Sequence, residues 1–163
     1  MTGVKIRHEL AYDSPPSEVH AMLATPAFRE AACAAQDAVS AEVTITPDGA
    51  GMQVLVDQVQ RTDDLPSFAR TFVGATTRAL QKETWSGPTS GDLVIEAPGS
   101  PATITGTISL APAGGGTVET VEIEIRVKVP LIGGKLEKLL ADRIIAGMDA
   151  EHSVGTAWLK GER

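Results

Sequence analysis

The C-terminal stretch restricts the fold more than any other part of the chain. From Lys135 to Lys160 the residues follow a helical pattern that would run roughly 39 Å at 1.5 Å per residue. Projected at about 100° per residue, Lys135, Lys138, Asp142, Asp149, Ser153, Thr156 and Lys160 fall in one narrow sector. Leu136, Leu139, Leu140, Ile144, Met148, Val154 and Trp158 share the broad opposite side. So wide an apolar face has to be buried against something large, and the polar sector has to face water.

What precedes it is mostly strand. Val4, Ile6, Leu10 and Tyr12 share one parity against Lys5, Arg7 and Glu9, with His8 on the apolar side. Ser14 is placed to cap a short helix that has Pro15 at its first position and Glu18 in its first turn. Thr25-Pro26 restarts the chain, and Phe28, Ala32 and Ala35 carry a second helical face toward Gln36. Val39, Ala41, Val43 and Ile45 then alternate up to the turn cluster PDGAG, and Met52, Val54 and Val56 run back. The segment 64–74 is not strand-like; the spacing of Phe68 and Phe72 predicts a helical turn in a long loop. TRALQKETW, DLVIEA and the run Ile104, Gly106, Ile108, Leu110 follow as strands. The cleanest alternation is Val121, Ile123, Ile125, Val127, Val129 against Glu122, Glu124, Arg126, Lys128. GGG at 114–116 lies between two strands and reads as a hairpin turn, not a phosphate-binding loop. Turns at hairpin distance predict an antiparallel sheet. One apolar face of that sheet needs a cover, and only the last helix is long enough.

The stretches HELAYDSPPSEVHAML (8–23) and VPLIGGKLEKLLADRI (129–144) resemble an uncharacterised bacterial branch of the START and birch-pollen-allergen superfamily. That superfamily also contains polyketide cyclases and aromatases. The element order is similar across essentially the whole chain: strand, two short helices, six strands, long C-terminal helix. The resemblance implies an α+β helix-grip fold, a curved seven-stranded antiparallel sheet wrapped around the last helix. It also implies an apolar small molecule held between the two, although a fold alone assigns no function.

Composition narrows the partners. A chain of 163 residues with no internal repeat or linker reads as a single domain, 1–163. With 4% aromatic residues, the interior lining is expected to be aliphatic. A net charge of −7 and scattered basic residues argue against a nucleic-acid partner. Cys33 is the single cysteine, so no internal disulfide forms and no polythiolate metal site exists. The histidines lack ligand spacing, and neither a metal nor a cofactor is expected. The N-terminus has no apolar signal region and no run is long enough to span a membrane, so a cytoplasmic protein is expected. The oligomeric state stays open.

Candidate site residues are those that break an apolar face. Arg143, Gly147 and Glu151 lie at i, i+4 and i+8 beside Met148 on the covering side of the helix. Either their charged ends snorkel or pair with strand residues, or they reach a pocket and hold a ligand's polar end. His8 is either a satisfied core histidine or a ligand partner. Phe68 and Phe72 either close a loop over its own cluster or form the underside of a lid. Gly147 costs about 1 kcal/mol in a helix relative to alanine, which a packing or space-making reason would offset. Trp85 and Trp158 are expected to pack, with Trp158 closing one end of the groove. Three functions remain: a carrier of a hydrophobic small molecule (lipid, sterol or polyketide-like), a cyclase, aromatase or dehydratase-like enzyme, and an interaction module with a filled core. A dry apolar cavity favours the first and convergent ionisable groups the second.

Overall fold

A computed structural model describes residues 3–162; the side chains at positions 72 and 73 lie outside the described residues, so Phe72 is placed by its backbone alone. The elements are β1 (Val4–Tyr12), α1 (Pro16–Leu23), α2 (Pro26–Ala35), β2 (Ser40–Asp48), β3 (Gly51–Arg61), α3 (Ser67–Val73), β4 (Thr76–Trp85), β5 (Ser90–Glu96), β6 (Ala102–Ala113), β7 (Gly116–Val127) and α4 (Gly133–Leu159). The strands form one antiparallel sheet in the order β1-β7-β6-β5-β4-β3-β2. Strands β2 to β7 each pair with the next in sequence, and β1 closes against β7. This is the helix-grip α+β arrangement.

Alternation along the strands sets which face is buried. On β7 Val121, Ile123, Ile125 and Val127 are buried, while Glu122 and Arg126 point to water. Val54, Val56, Leu93, Ile104 and Ile108 continue that inner face across β3, β5 and β6. Gly114 and Gly115 link β6 to β7 with φ of 55° and 84°. A two-residue hairpin turn with both central φ values positive needs that freedom, which explains the glycine run.

Helix α4 lies over the inner face. Its N-terminal turn is tied down by Glu137, whose carboxylate accepts a 2.9 Å hydrogen bond from the Val127 backbone N–H. Lys135, Lys138, Asp142, Asp149, Ser153 and Lys160 are exposed as the projection requires, and Thr156 is half-buried. The middle of a covering helix ought to be its most buried part. Instead Leu139, Leu140, Ile144, Met148 and Glu151 keep partial accessibility, because the space under them is a cavity.

Local expectations need three corrections. Ser14 does not cap α1: the cap residue is Pro15, no side chain caps the helix, and Pro16 is its first residue. The Ser14 carbonyl instead accepts a 2.7 Å hydrogen bond from Thr117 Oγ1, tying the loop to β7. The segment after β3 forms α3, a full short helix instead of one turn. The last strand ends at Val127, before Val129.

Candidate functional site

The space between the sheet and α4 is a cavity of about 220 Å³. One water needs roughly 10–15 Å³, so this is far more than a packing defect. Leu93, Ile104, Ile108, Val121, Ile123, Leu140, Ile144 and Met148 make an aliphatic wall. Charged groups stand toward both ends, which α4 spans, and Gln36, Gln58 and Gln81 add polar amides to the lining between them. Arg143 and Glu151 are eight residues apart, roughly 12 Å along the helix axis.

At the inner end, α2, β4, β7 and α4 converge on one cluster. Arg29 on α2 sits on the inward face with Phe28, Ala32 and Cys33, all of them buried. Its Nη1 and Nη2 donate to Glu83 Oε2 and Oε1 at 2.7 and 2.9 Å, and its Nε donates to the Leu23 carbonyl at 2.8 Å. Trp85 Nε1 and Gln81 Nε2 also donate to Glu83, at 2.9 and 2.6 Å. Burial alone would raise the Glu83 carboxyl, but the Arg29 charge and these donors pull it below the ordinary carboxylate range. Burial likewise disfavours the Arg29 cation, and Glu83 more than offsets it.

Glu119 on β7 and Glu151 on α4 have no such partner. Glu119 is 3% exposed, borders the cavity, and its Oε1 has no hydrogen-bond partner. Burial, then repulsion from Glu151, raises the Glu119 carboxyl against the weaker pull of Arg29. Burial also raises Glu151; Arg29 opposes the shift and Glu83 adds to it. Two carboxyls that share one low-dielectric space resist losing both protons, so the pair holds a proton well above the usual carboxylate range. Tyr12 on β1 reaches the same cluster. Its hydroxyl is buried and unpartnered, and burial followed by Glu119 and Glu151 raises it strongly. His20 on α1, edge-on to Trp85 at 5.6 Å, is lowered by burial and then by Arg29. Burial and Glu151 push the Cys33 thiol up to about 11, leaving it a neutral packing group.

The outer end is built differently. Arg143 Nη2 donates to Gln60 Oε1 at 3.4 Å and to the Arg61 carbonyl at 3.3 Å, and its Nη1 lies 3.5 Å from Asp64 Oδ1. The Arg143 side chain is 24% exposed and that of Asp64 72%. Leu65 and Ala69, from the loop before α3 and from α3 itself, line the cavity here together with the β5–β6 loop at Ser100 and Pro101.

Of the residues singled out from the sequence, Arg143, Gly147, Met148 and Glu151 border the cavity. His8 and Phe68 do not. His8 lies on edge strand β1, where the polar flank of α4 passes, and its Nε2 is 2.8 Å from Asp149 Oδ1. Phe68 is 38% exposed and turns outward, toward a shallow depression with Lys135, Lys138 and Asp142; the apolar underside of α3 is Leu65 and Ala69. Phe72 lies outside the described side chains. A Cβ on Gly147 would come 2.6 Å from Gln36 Oε1, so this glycine also admits the end of α2. Trp158 packs edge-on against Phe28 at 5.7 Å and Trp85 is fully buried. Among the described residues no group of three or more His, Cys, Asp or Glu is arranged to hold a metal ion, and no helix is long and apolar enough to cross a membrane.

Sequence reasoning missed Arg29, Glu83, Glu119 and Tyr12 as site groups. The signal was parity: Glu119 keeps step with Val121 and Ile123, and Glu83 with Trp85.

Comparison with known proteins gives a family and a fold. The family described as "Protein of unknown function (DUF2505)" matches residues 7–159. An uncharacterized protein of Mycobacterium tuberculosis (strain ATCC 25618 / H37Rv) is 28% identical over 118 residues, which is 69% of this chain and 68% of the relative. The crystal structure of Ara h 8.0201 matches with a TM-score of 0.62 at 14% identity, covering 94% of this chain and 98% of that one. The di-domain ARO/CYC StfQ from the steffimycin biosynthetic pathway matches with a TM-score of 0.61 at 14% identity, over 96% of this chain and 50% of that one. At these identities the structural matches establish the fold alone.

Proposed function

The chain belongs to the DUF2505 family, whose description assigns no activity, and we propose from its cavity that it binds a hydrophobic small molecule between the sheet and α4. The observation that carries this reading is a largely aliphatic cavity with Arg143 toward one end and Glu119 and Glu151 toward the other. A ligand with an apolar body and a polar end matches that division. Arg143 and Gln60 would meet whatever projects from the outer end. Gly147 and Met148 would contact the body, and Glu119 and Glu151 the buried end. The likeness to Ara h 8.0201 and StfQ supports the fold on which the reading rests.

The test is native mass spectrometry of the purified protein, then organic extraction of anything that travels with it. Thermal shift against fatty acids, sterols and polyketide-like aromatics complements it. A ligand at a hundred times its dissociation constant should add about 2.7 kcal/mol of stability. If nothing is extracted and no apolar class raises the melting temperature, the reading is wrong.

A second reading draws on the inner cluster. Glu119 and Glu151 both border the cavity, and burial with their mutual repulsion raises the pair above the ordinary carboxylate range, as a general acid at neutral pH requires. An enzyme of the cyclase, aromatase or dehydratase kind would use them to protonate a carbonyl or a leaving hydroxyl. Mass analysis of a bound compound separates the two readings. A binder returns it unchanged, a dehydratase or dehydrating aromatase returns it lighter by one water, and a cyclase returns an isomer of equal mass with a different fragmentation pattern.

A further inference from the structure

The inner cluster carries more acid than it can use. Its one guanidinium is committed: Arg29 gives Nη1 and Nη2 to Glu83 and Nε to a backbone carbonyl. Glu83 in turn accepts from Arg29, Trp85 and Gln81, so that pair is closed. Glu119 and Glu151 remain, with no ion pair among the described residues, and both border a largely aliphatic space. The Glu119 Oε1, on a residue 3% exposed, is a buried polar atom without a partner. A buried polar group without a partner is costly, and a ligand that supplies the missing donors recovers that cost.

We propose that the inner end of the cavity receives a cationic nitrogen, an amine carried on an apolar body, held between Glu119 and Glu151. This rests on the hydrophobic-ligand reading and names the head group that the same site takes. An ammonium offers up to three donors, and the carboxyl oxygens of Glu119 and Glu151 can accept them. An anionic head would meet two carboxyls and find Arg29 already bound. The charged and titratable groups around the pair are Arg29 and Cys33 on α2, Glu83 on β4, Tyr12 on β1, His20 on α1 and His152 on α4, whose ring packs 4.9 Å from Tyr12 and whose Nε2 bonds the Ala11 carbonyl. Among them only Arg29 opposes a cation, and Glu83 neutralises it. The net charge of −7 favours the approach of a cation over that of an anion. Because the empty pair holds a proton, the arriving ammonium should displace it, and binding should release protons near neutral pH.

Calorimetric titration of the full chain at pH 7 with phenylpropylamine, phenylpropanol and phenylpropanoate, and with the matching naphthylethyl series, tests this. The amine is expected to bind more than about tenfold tighter than its alcohol, the factor a charge-assisted hydrogen bond supplies, and the carboxylate weakest. Glu119→Gln and Glu151→Gln should each bring the amine within about threefold of the alcohol measured on the same variant; if one variant does not fold, the other serves. Titrating the wild-type chain in two buffers of different ionisation enthalpy should show proton release with the amine and none with the alcohol. Equal affinity for amine and alcohol, a tighter carboxylate, or amine binding without proton release overturns the inference and leaves the hydrophobic-ligand reading standing. Binding by none of the six probes overturns both.

Discussion

Arg29 and Arg143 are held at opposite ends of one cavity by opposite means. Arg29 is 3% exposed and spends its guanidinium nitrogens on one carboxylate and one carbonyl at 2.7–2.9 Å. Arg143 keeps 24% of its side chain exposed and makes longer contacts, 3.3–3.5 Å, to three acceptors. A charge enclosed by protein has to be matched, because the interior does not screen it and desolvation is expensive. A charge beside water does not, because solvent takes up what the protein leaves unmet. The inner end can therefore store an imbalance, which is what Glu119 and Glu151 represent. The outer end cannot.

The sharpest way to break this comparison is to remove each arginine. Arg29→Met leaves Glu83 buried and unpaired beside two further carboxyls and should cost about 3–5 kcal/mol in denaturant unfolding. Arg143→Met removes a partly solvated contact and should cost no more than about 1 kcal/mol, shrinking further in high salt. Similar costs for the two would mean that the ends are not distinct.

The next effect isolates the imbalance. Glu119 has a carboxyl raised in the folded state by burial and by Glu151. A raised carboxyl contributes stability that is fully present below its unfolded value and is lost as pH rises through the folded one. The wild-type chain should therefore weaken from the ordinary glutamate range, near 4.5, upward into the alkaline range. Glu119→Gln cannot ionise, so its stability should stay flatter over the same window. At pH 9 the variant should be more stable than wild type by roughly 1–3 kcal/mol, the range for relieving an unsatisfied buried group. Parallel pH profiles would mean that Glu119 is solvated or paired in solution.

The two ends also differ in how far the sequence reveals them. The projection of α4 identifies Arg143 and Glu151, because a helix long enough to cover a sheet has a readable face. Strand alternation gives the sheet, and the glycines at 114 and 115 give a hairpin. The partners of those two helix residues are harder to read. Glu83 and Glu119 lie on β4 and β7, with β5 and β6 between them in the sheet, and neither is near the other or Arg29 in sequence. Each looks like one polar residue among many on a strand. Only the packing of α2 and the sheet around one point turns them into a cluster. His8 shows the reverse failure. Its parity was inward, but on an edge strand the inward face can meet the polar flank of a helix instead of the core, and Asp149 is what it meets.

The smallest expected effect concerns the wall between the two ends, at Gly147. The sequence suggests that this glycine makes room for a ligand, and it does border the cavity. Yet the atom nearest to an added Cβ belongs to Gln36, at 2.6 Å, which is closer than atoms can stand. The obstacle is the far end of a flexible side chain, held by one 3.1 Å hydrogen bond from Nε2 to the Ala32 carbonyl. Gln36 also lines the cavity, so it has empty space to turn into. In Gly147→Ala the helix should gain up to about 1 kcal/mol of propensity, and displacing Gln36 should return part of it. The net is a rise of a few tenths of a kcal/mol, read as a small increase in melting temperature. The displaced amide would then occupy cavity volume, and affinity for any ligand of the cavity should fall by a modest factor. A lower melting temperature would show that Gln36 cannot move, and that Gly147 serves the α2–α4 contact and not the cavity. In Gln36→Ala, where the obstacle is gone, Gly147→Ala should give the full propensity gain, and this double-mutant comparison separates the two roles.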